Sequence, residues 1–203
     1  MSEKGRPPEY STEELIDLAT EVIADDGLAG CTFRTLAKRA DTSTTTFTYR
    51  FGSRSNLLKQ VFVRAYSLGW DEMALGELEH EDPIKRLYEI GLADLQLGDD
   101  LAKYKRAYAE LLIAAPREPE LSEALRELDV SFMSAYRSLI EQAQEMELID
   151  PDLDPVTLTL AIWAVIDGLN INRYAYEDEL RGEQLEFYFR RIFEGIVGRT
   201  IED

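Results

Sequence analysis

Apolar residues recur at helical spacing along almost the whole chain, and this periodicity constrains the fold more than any other feature of the sequence. No strand-like alternation, low-complexity tract or obvious internal repeat accompanies it. Proline and glycine residues divide the pattern into segments. The sequence therefore predicts an all-α fold of about nine helices, near residues 11–27, 32–40, 43–50, 53–75, 83–97, 100–115, 119–148, 155–177 and 183–200.

Polar residues mark where several of these helices begin. Ser11 with Glu14 predicts a capping box, in which each side chain bonds the backbone N–H of the other residue. Pro119 and Pro155 occupy first-turn positions, where a missing N–H costs nothing. We expect three further caps, at Thr32, Ser43 and Ser53.

Length and composition bound the number of domains and argue against a secreted or membrane-spanning protein. The 203 residues are 45% hydrophobic, enough for one domain of ordinary size or two small ones. A single cysteine, Cys31, excludes an internal disulfide. The N-terminus does not resemble a signal peptide, and the longest uninterrupted apolar run is Leu160–Ile166, far short of a membrane span. We expect a cytoplasmic protein that makes no membrane contact.

The charge is unevenly distributed. The net charge is −18, which ordinarily argues against a nucleic-acid partner. From Thr32 to Arg64, however, seven basic residues face one acidic residue, a local charge of +6. A short basic segment in an acidic chain indicates one surface for a polyanion. Accidental clustering of the bases is the alternative, and a high-salt cytoplasm or simple solubility would equally explain the acidic excess.

Two short predicted helices separated only by Asp41 and Thr42 fit a helix-turn-helix. On the second helix, Phe47 and Phe51 share the side expected to face the core. The opposite side carries hydroxyl groups that can contact base edges or phosphates. The alternative is a polar helix exposed only to water. The predicted DNA-binding residues are Thr32, Arg34, Thr35, Ser43, Thr44, Thr45, Thr46, Thr48, Tyr49, Arg50, Ser53 and Arg54.

The segment from Cys31 to Leu58 resembles the DNA-binding signature of the TetR family of transcriptional regulators. The positions in register are Leu36-Ala37, Ser43, Thr46-Phe47, Phe51, Ser53-Arg54 and Leu57. The signature covers roughly residues 11–60. The resemblance implies a DNA-binding domain at 1–52, a ligand-binding and dimerisation domain at 53–203, and a helix at 53–75 that joins them.

Three residues depart from the family pattern. Asp41 stands where the family usually has a turn glycine, although Asp tolerates a left-handed backbone better than most residues. Thr45 occupies a position often held by Gly or Ala, and Thr48 replaces a frequent tyrosine. These departures affect the expected operator sequence more than the expected activity.

The resemblance further implies a homodimer that binds a near-palindromic DNA operator, its last two helices pairing with those of a second copy. Those two helices are apolar enough to support this, although both apolar faces would equally serve as core within one chain. The predicted interface residues are Ala164, Gly168, Phe189, Ile192, Phe193 and Ile196.

Regulators of this family usually bind a small-molecule effector among the C-terminal helices, and aromatic residues recur there at helical spacing. Such residues more often form an ordinary core. Asp167 and Asn170 follow Trp163 along the same helix face, and a buried carboxylate needs a partner, either a ligand or a buried arginine. The predicted ligand-binding residues are Tyr66, Trp70, Tyr104, Tyr108, Phe132, Tyr136, Trp163, Asp167 and Asn170.

The sequence thus predicts a repressor that the effector releases by shifting the helix at 53–75. Two alternatives remain: a regulator that acts through a protein partner, for which Asp41 and the acidic remainder of the chain are the support, and an all-α small-molecule-binding protein. We predict no enzyme activity, metal or cofactor. His80 is the single histidine, and no phosphate loop or metal-ligand spacing occurs.

Overall fold

The computed structural model describes residues 10–72, 81–96, 101–173, 175–176 and 180–201, without the side chains of 68–72, 128–129 and 131–132. These residues contain nine α-helices and one short 3₁₀ turn, and no strand, so the predicted all-α class is confirmed. The helices are α1 (Thr12–Gly30), α2 (Phe33–Arg39), α3 (Thr44–Phe51), α4 (Arg54–Glu72), α5 (Pro83–Gln96), α6 (Ala102–Ala114), α7 (Pro119–Glu145), α8 (Pro155–Asn172) and α9 (Gly182–Val197).

The predicted capping box begins α1. Ser11 Oγ accepts from the Glu14 N–H at 3.1 Å, and Glu14 Oε2 accepts from the Ser11 N–H at 2.7 Å. At the other end, Gly27 has φ 72° and kinks the helix where the sequence predicts its end. Pro119 and Pro155 begin α7 and α8, as predicted.

Three helices that are followed by described residues end at least three residues earlier than predicted, among them α9, which ends at Val197 and not near residue 200. Helix α7 ends at Glu145, not near residue 148, and Glu147 adopts a left-handed φ of 57° just beyond it. Helix α8 ends at Asn172, not near residue 177. Neither α7 nor α8 ends at a glycine or proline that would have located its end.

Internal contacts divide the helices into two compact units. The first unit comprises residues 1–68 and 100–125, and the second comprises 69–99 and 126–203. The predicted domains, 1–52 and 53–203, stay a prediction.

In the first unit, α1 packs against α6. Helix α1 buries Leu15, Ala19 and Ile23, and α6 buries Ala107 and Leu111. This packing anchors the helices that carry the candidate site.

The second unit is built on α5, α8 and α9. Its core contains Tyr88 from α5, stacked on Phe189 of α9 with 5.4 Å between ring centroids. Gly91 permits the helices to approach, since a Cβ there would lie 2.6 Å from Phe189 Cζ and 3.1 Å from Ile166 Cδ1.

Helix α8 is unusually apolar for its degree of burial. Its 18 residues have a mean hydropathy of 1.2, yet only 28% of them are buried. By length and composition alone, it is the one helix in the described part of the chain that could cross a membrane.

Candidate nucleic-acid interface

Helices α2 and α3 form a helix-turn-helix whose turn depends on Asp41. Asp41 has φ 47°, a left-handed conformation, as the sequence predicts for a residue in the place of a turn glycine. The N–H of Thr42 then donates to the carbonyl of Ala37 at 2.9 Å and closes the end of α2.

Helix α3 has one buried side and one exposed side. Phe47 and Phe51 are buried, and Phe47 also contacts the Phe33 ring with 5.8 Å between centroids. The exposed side, which we name the reading face, presents three hydroxyl groups and one phenol. Its members are Thr44, Thr45, Thr48 and Tyr49, the last 87% exposed.

The expected caps differ in how they are made. Thr32 Oγ1 accepts from the Thr35 N–H at 3.1 Å, and Ser53 Oγ accepts from the Asn56 N–H at 3.1 Å. Ser43 occupies the N-cap position of α3 but makes no capping bond with its side chain. The first turn of α3 therefore keeps a backbone donor for another partner.

Other predicted DNA-binding threonines form hydrogen bonds between hydroxyl groups within the fold. The hydroxyls of Thr32 and Thr35 share a hydrogen bond of 2.9 Å, and those of Thr42 and Thr46 share one of 3.0 Å. Thr46 is half-buried, in contrast to its neighbours on the reading face. We therefore expect Thr46 to support the turn more than to contact DNA.

The basic side chains of α2 and α3, which include Lys38 and Arg39 beside the predicted Arg34 and Arg50, fall into two groups. Within the part of the chain that the structure describes, the side chains of Arg34 and Lys38 are exposed and make no hydrogen bond or ion pair. By contrast, Arg39 pairs with Asp26 at 2.8 Å, and Arg50 donates to the Tyr10 carbonyl and the Thr12 hydroxyl, each at 3.3 Å. Arg34 and Lys38 are therefore the bases most available to phosphate.

The Arg54 side chain is used in hydrogen bonds within the fold, which the sequence did not indicate. Its Nε donates to the Cys31 carbonyl and its Nη2 to the Leu28 carbonyl, each at 2.7 Å. The half-buried guanidinium thus holds the chain between α1 and α2. No local signal separates such an arginine from one that binds phosphate.

Cys31, at the start of this motif, is fully buried. Burial raises the pKa of its thiol to about 11, although the nearby Arg54 guanidinium favours the thiolate. The thiol is therefore protonated at neutral pH, and this argues against a redox role.

The predicted ligand-binding residues of the first unit are three tyrosines. Tyr108 stacks on Phe62 with 5.3 Å between centroids and contacts Tyr66 at 5.8 Å. Tyr104 donates its hydroxyl to Asp17 Oδ1 at 3.0 Å, and burial together with Asp17 raises its pKa. Tyr104 is thereby attached to α1.

In the second unit, predicted ligand-binding residues gather around Tyr136. The fully buried Tyr136 ring lies 5.5 Å from that of Trp163. Burial, with the negative charges of Asp94 and Asp167 nearby, raises the pKa of Tyr136 well above its ordinary value. Trp70 and Phe132 lie outside the described side chains.

Asp94 belongs to this group but is not among the residues predicted from the sequence. It is 6% exposed, and its Oδ2 accepts from Asn170 Nδ2 at 2.7 Å. Asn170 is also buried, and its Oδ1 has no hydrogen-bond partner within the described residues. The sequence signal that could have identified Asp94 is the position of a carboxylate among the apolar residues of α5.

The described residues of the second unit line at least two clefts at its surface. One of about 220 Å³ is bounded by α5 and α7, with Tyr136 and Ile90 in its wall. A second, of about 320 Å³, is bounded by α7 and α8 and includes Val130 and Leu160. No group of three or more potential metal ligands occurs in the described residues.

The predicted interface residues divide by burial. Phe189 and Phe193 are fully buried against Tyr88 within this chain. Ala164 and Ile192 are exposed, and Gly168 and Ile196 are half-buried. The surfaces of α8 and α9 also expose apolar side chains that the sequence analysis did not select, namely Val156, Leu160, Phe187 and Tyr188.

Two family profiles match the chain. The tetR family of bacterial regulatory proteins matches residues 15–61, and the C-terminal region of BetI-type transcriptional repressors matches residues 83–198, more than half of the chain. No curated relative matches the sequence.

Solved structures share the fold at low identity. A transcriptional regulator from Rhodococcus sp. Rha1 is 20% identical, with a TM-score of 0.77, covering 96% of this chain and 100% of that one. A TetR transcription regulator from Haloarcula marismortui is 19% identical, with a TM-score of 0.74 and coverages of 94% and 98%.

A third structure contains a small molecule. It is a Saccharomonospora viridis protein in complex with choline, 19% identical, with a TM-score of 0.72 and coverages of 89% and 93%. Together with the helix-turn-helix at residues 33–51, the profile matches establish that this chain is a transcriptional regulator of the TetR family, with a BetI-type C-terminal region.

Proposed function

We propose that this regulator is a cytoplasmic repressor that binds a near-palindromic operator as a homodimer, is released by a small-molecule effector and catalyses no reaction. The reading face carries the DNA-binding part of this proposal. Thr44, Thr45 and Tyr49 are exposed on α3, while the uncommitted bases Arg34 and Lys38 lie on the preceding helix. This combination provides base-edge contacts and phosphate contacts from one motif.

Selection from a random duplex library at moderate salt tests the proposal. A dimeric reader enriches an inverted repeat, whose half-site spacing gives the separation of the two DNA-binding heads. A folded protein that enriches no sequence even at low salt would contradict DNA binding and favour action through a protein partner.

Two variants then separate the DNA contacts from the fold. We expect R34A and K38A each to weaken operator binding and to reduce the salt dependence by about two phosphate contacts per dimer. R117A is the matched control, since Arg117 is an exposed arginine outside the helix-turn-helix. Equal losses in all three variants would contradict the assignment of Arg34 and Lys38.

The homodimer is supported by the uncovered apolar surface of α8 and α9. Leu160 is 53% exposed on α8, and Ile192 is exposed on α9. Such side chains favour burial against a partner, and a second copy offers the same surface. We expect L160E and I192E to give monomers in light scattering, whereas I113E, which charges an exposed site on α6, leaves the dimer intact.

Effector binding is supported by the polar group inside the second unit. Asp94 and Asn170 are buried beside the aromatic pair of Tyr136 and Trp163, and an acceptor of Asn170 remains open. Because choline occupies a structure of the same fold, choline is the first probe. Tyr66, Tyr104 and Tyr108 of the first unit remain predicted contacts.

The release assay uses the operator selected above. An effector is expected to reduce operator affinity by about 5- to 150-fold, the range of an ordinary coupling free energy. D94N, which keeps the shape and removes the charge, is expected to alter the effector concentration needed without altering affinity in its absence. If no small molecule of a broad panel changes operator affinity, release by an effector is contradicted.

A further inference from the structure

We infer that the threonines of α3 recognise thymine methyl groups, so that the operator half-site facing this helix is rich in A·T pairs. The inference rests on the proposed DNA-binding function and specifies its operator. It is carried by the chemical composition of the reading face and by one internal hydrogen bond.

The reading face has no side chain for the strongest base contacts. Guanine is commonly recognised by the fork of arginine, and adenine by the amide of asparagine or glutamine. Helix α3 contains no asparagine or glutamine, and its single basic residue is Arg50. The Arg50 guanidinium already donates to the Tyr10 carbonyl and the Thr12 hydroxyl. Recognition by α3 therefore depends on hydroxyl, methyl and phenol groups.

Thr48 shows how such a face discriminates between bases. Its hydroxyl donates to the carbonyl of Thr44 at 3.1 Å, so its hydrogen is used inside the helix. Toward DNA, Thr48 then offers a hydrogen-bond acceptor and a methyl group. In the major groove both an A·T pair and a G·C pair present an amino donor and acceptors, but only the A·T pair also presents a methyl group.

Thr44 and Thr45 extend the same chemistry to the first turn of α3. Both are exposed and each carries a methyl group. The N-terminal residues of a recognition helix contact base edges, so these two residues meet the bases together with Thr48. Arg34 and Lys38 then contribute affinity that does not depend on sequence.

The test replaces thymine by uracil, which lacks only the C5-methyl group. Full-length protein is first used to select its operator, and each thymine of the half-site is then replaced singly by deoxyuridine. We expect at least one replacement to weaken binding about four-fold, equivalent to ~0.8 kcal/mol for one methyl group. A replacement in the flanking duplex is the control.

Paired variants assign the contact to a residue. T44S, T45S and T48S each remove a methyl group and keep the hydroxyl, whereas T44V, T45V and T48V keep the methyl groups. For the threonine that contacts the methyl group, the serine variant should bind the thymine and uracil duplexes equally, and the valine variant should retain the four-fold difference. A purely structural threonine would lower affinity for both duplexes alike.

The outcomes distinguish this inference from the function on which it rests. If every uracil duplex binds as tightly as its thymine parent, or if no serine variant removes the difference, methyl recognition is overturned while operator binding stands. If no operator is selected, both fail. A selected half-site composed of G·C pairs would overturn the inference directly.

Discussion

At the scale of single residues, Asp41 holds the turn of the DNA-binding motif in a left-handed conformation. This conformation suits glycine, so we expect D41G to raise the free energy of unfolding by about 0.5 kcal/mol. D41A should lower it by about 1 kcal/mol. D41G and D41N should both tighten operator binding, because each removes a negative charge. Urea unfolding and operator titration measure the two effects, and an unchanged stability of D41A would contradict the role of the backbone.

The buried Cys31 thiol predicts a specific pH dependence. Its folded pKa, about 11, lies above its ordinary value of 9.0. The protonated thiol thus supports folding below about pH 9, and this contribution is lost as the pH rises toward 11. We expect the stability advantage of the parent over C31A, measured by urea unfolding, to shrink by about 2 kcal/mol across that interval. A constant difference would show that the thiol does not titrate there.

Arg54 predicts a loss of stability where a phosphate contact would predict only a loss of affinity. Its two hydrogen bonds to backbone carbonyls cross 23 and 26 residues of sequence. We expect R54A to lower the free energy of unfolding by about 2 kcal/mol, and R34A to change it by less than about 0.5 kcal/mol. Chemical denaturation of both variants compares them directly. If R54A and R34A were equally stable, the structural role of Arg54 would be contradicted, and its side chain would count among those available to contact DNA.

At the scale of helices, features that depend on neighbouring residues could be predicted from the sequence. Contacts between residues far apart in the sequence could not. Ser11 and Pro155 mark helix starts because capping and the missing proline N–H act within one turn. Phe189 and Ile192 look alike in sequence, yet the first is buried against Tyr88 and the second is exposed. Helices far away in the sequence decide which part of an apolar helix face is buried within the same chain. The use of Arg54 was hidden for the same reason.

Helix packing in the second unit predicts an intolerance at Gly91. A Cβ at this position would lie 2.6 Å from the Phe189 ring, which is fully buried and has little space to move. We expect G91A to lower stability by about 1–3 kcal/mol, despite the better helix propensity of alanine. G195A is the control, because nothing lies within 4 Å of its added Cβ. Thermal unfolding that ranks G91A with or above G195A would contradict this packing.

At the scale of the whole molecule, the charge of −18 predicts a stability that depends on salt. Repulsion among the acidic groups opposes the compact state and is screened by added ions. We expect the melting temperature to rise with sodium chloride and to level off by about 0.5 M, where the Debye length is only a few ångström. A rise that continues in proportion to salt up to several molar would instead indicate adaptation to a salty cytoplasm.

The uncovered apolar side of α8 also makes the amount of protein a regulatory variable. In the proposed dimer, association would cover the exposed apolar side chains of this helix, Val156 and Leu160 among them, so that assembly contributes to the stability of the fold. Where monomers predominate, operator occupancy would rise with the square of their concentration. A two-fold change in synthesis or degradation would then change operator occupancy by up to about four-fold, with no effector present.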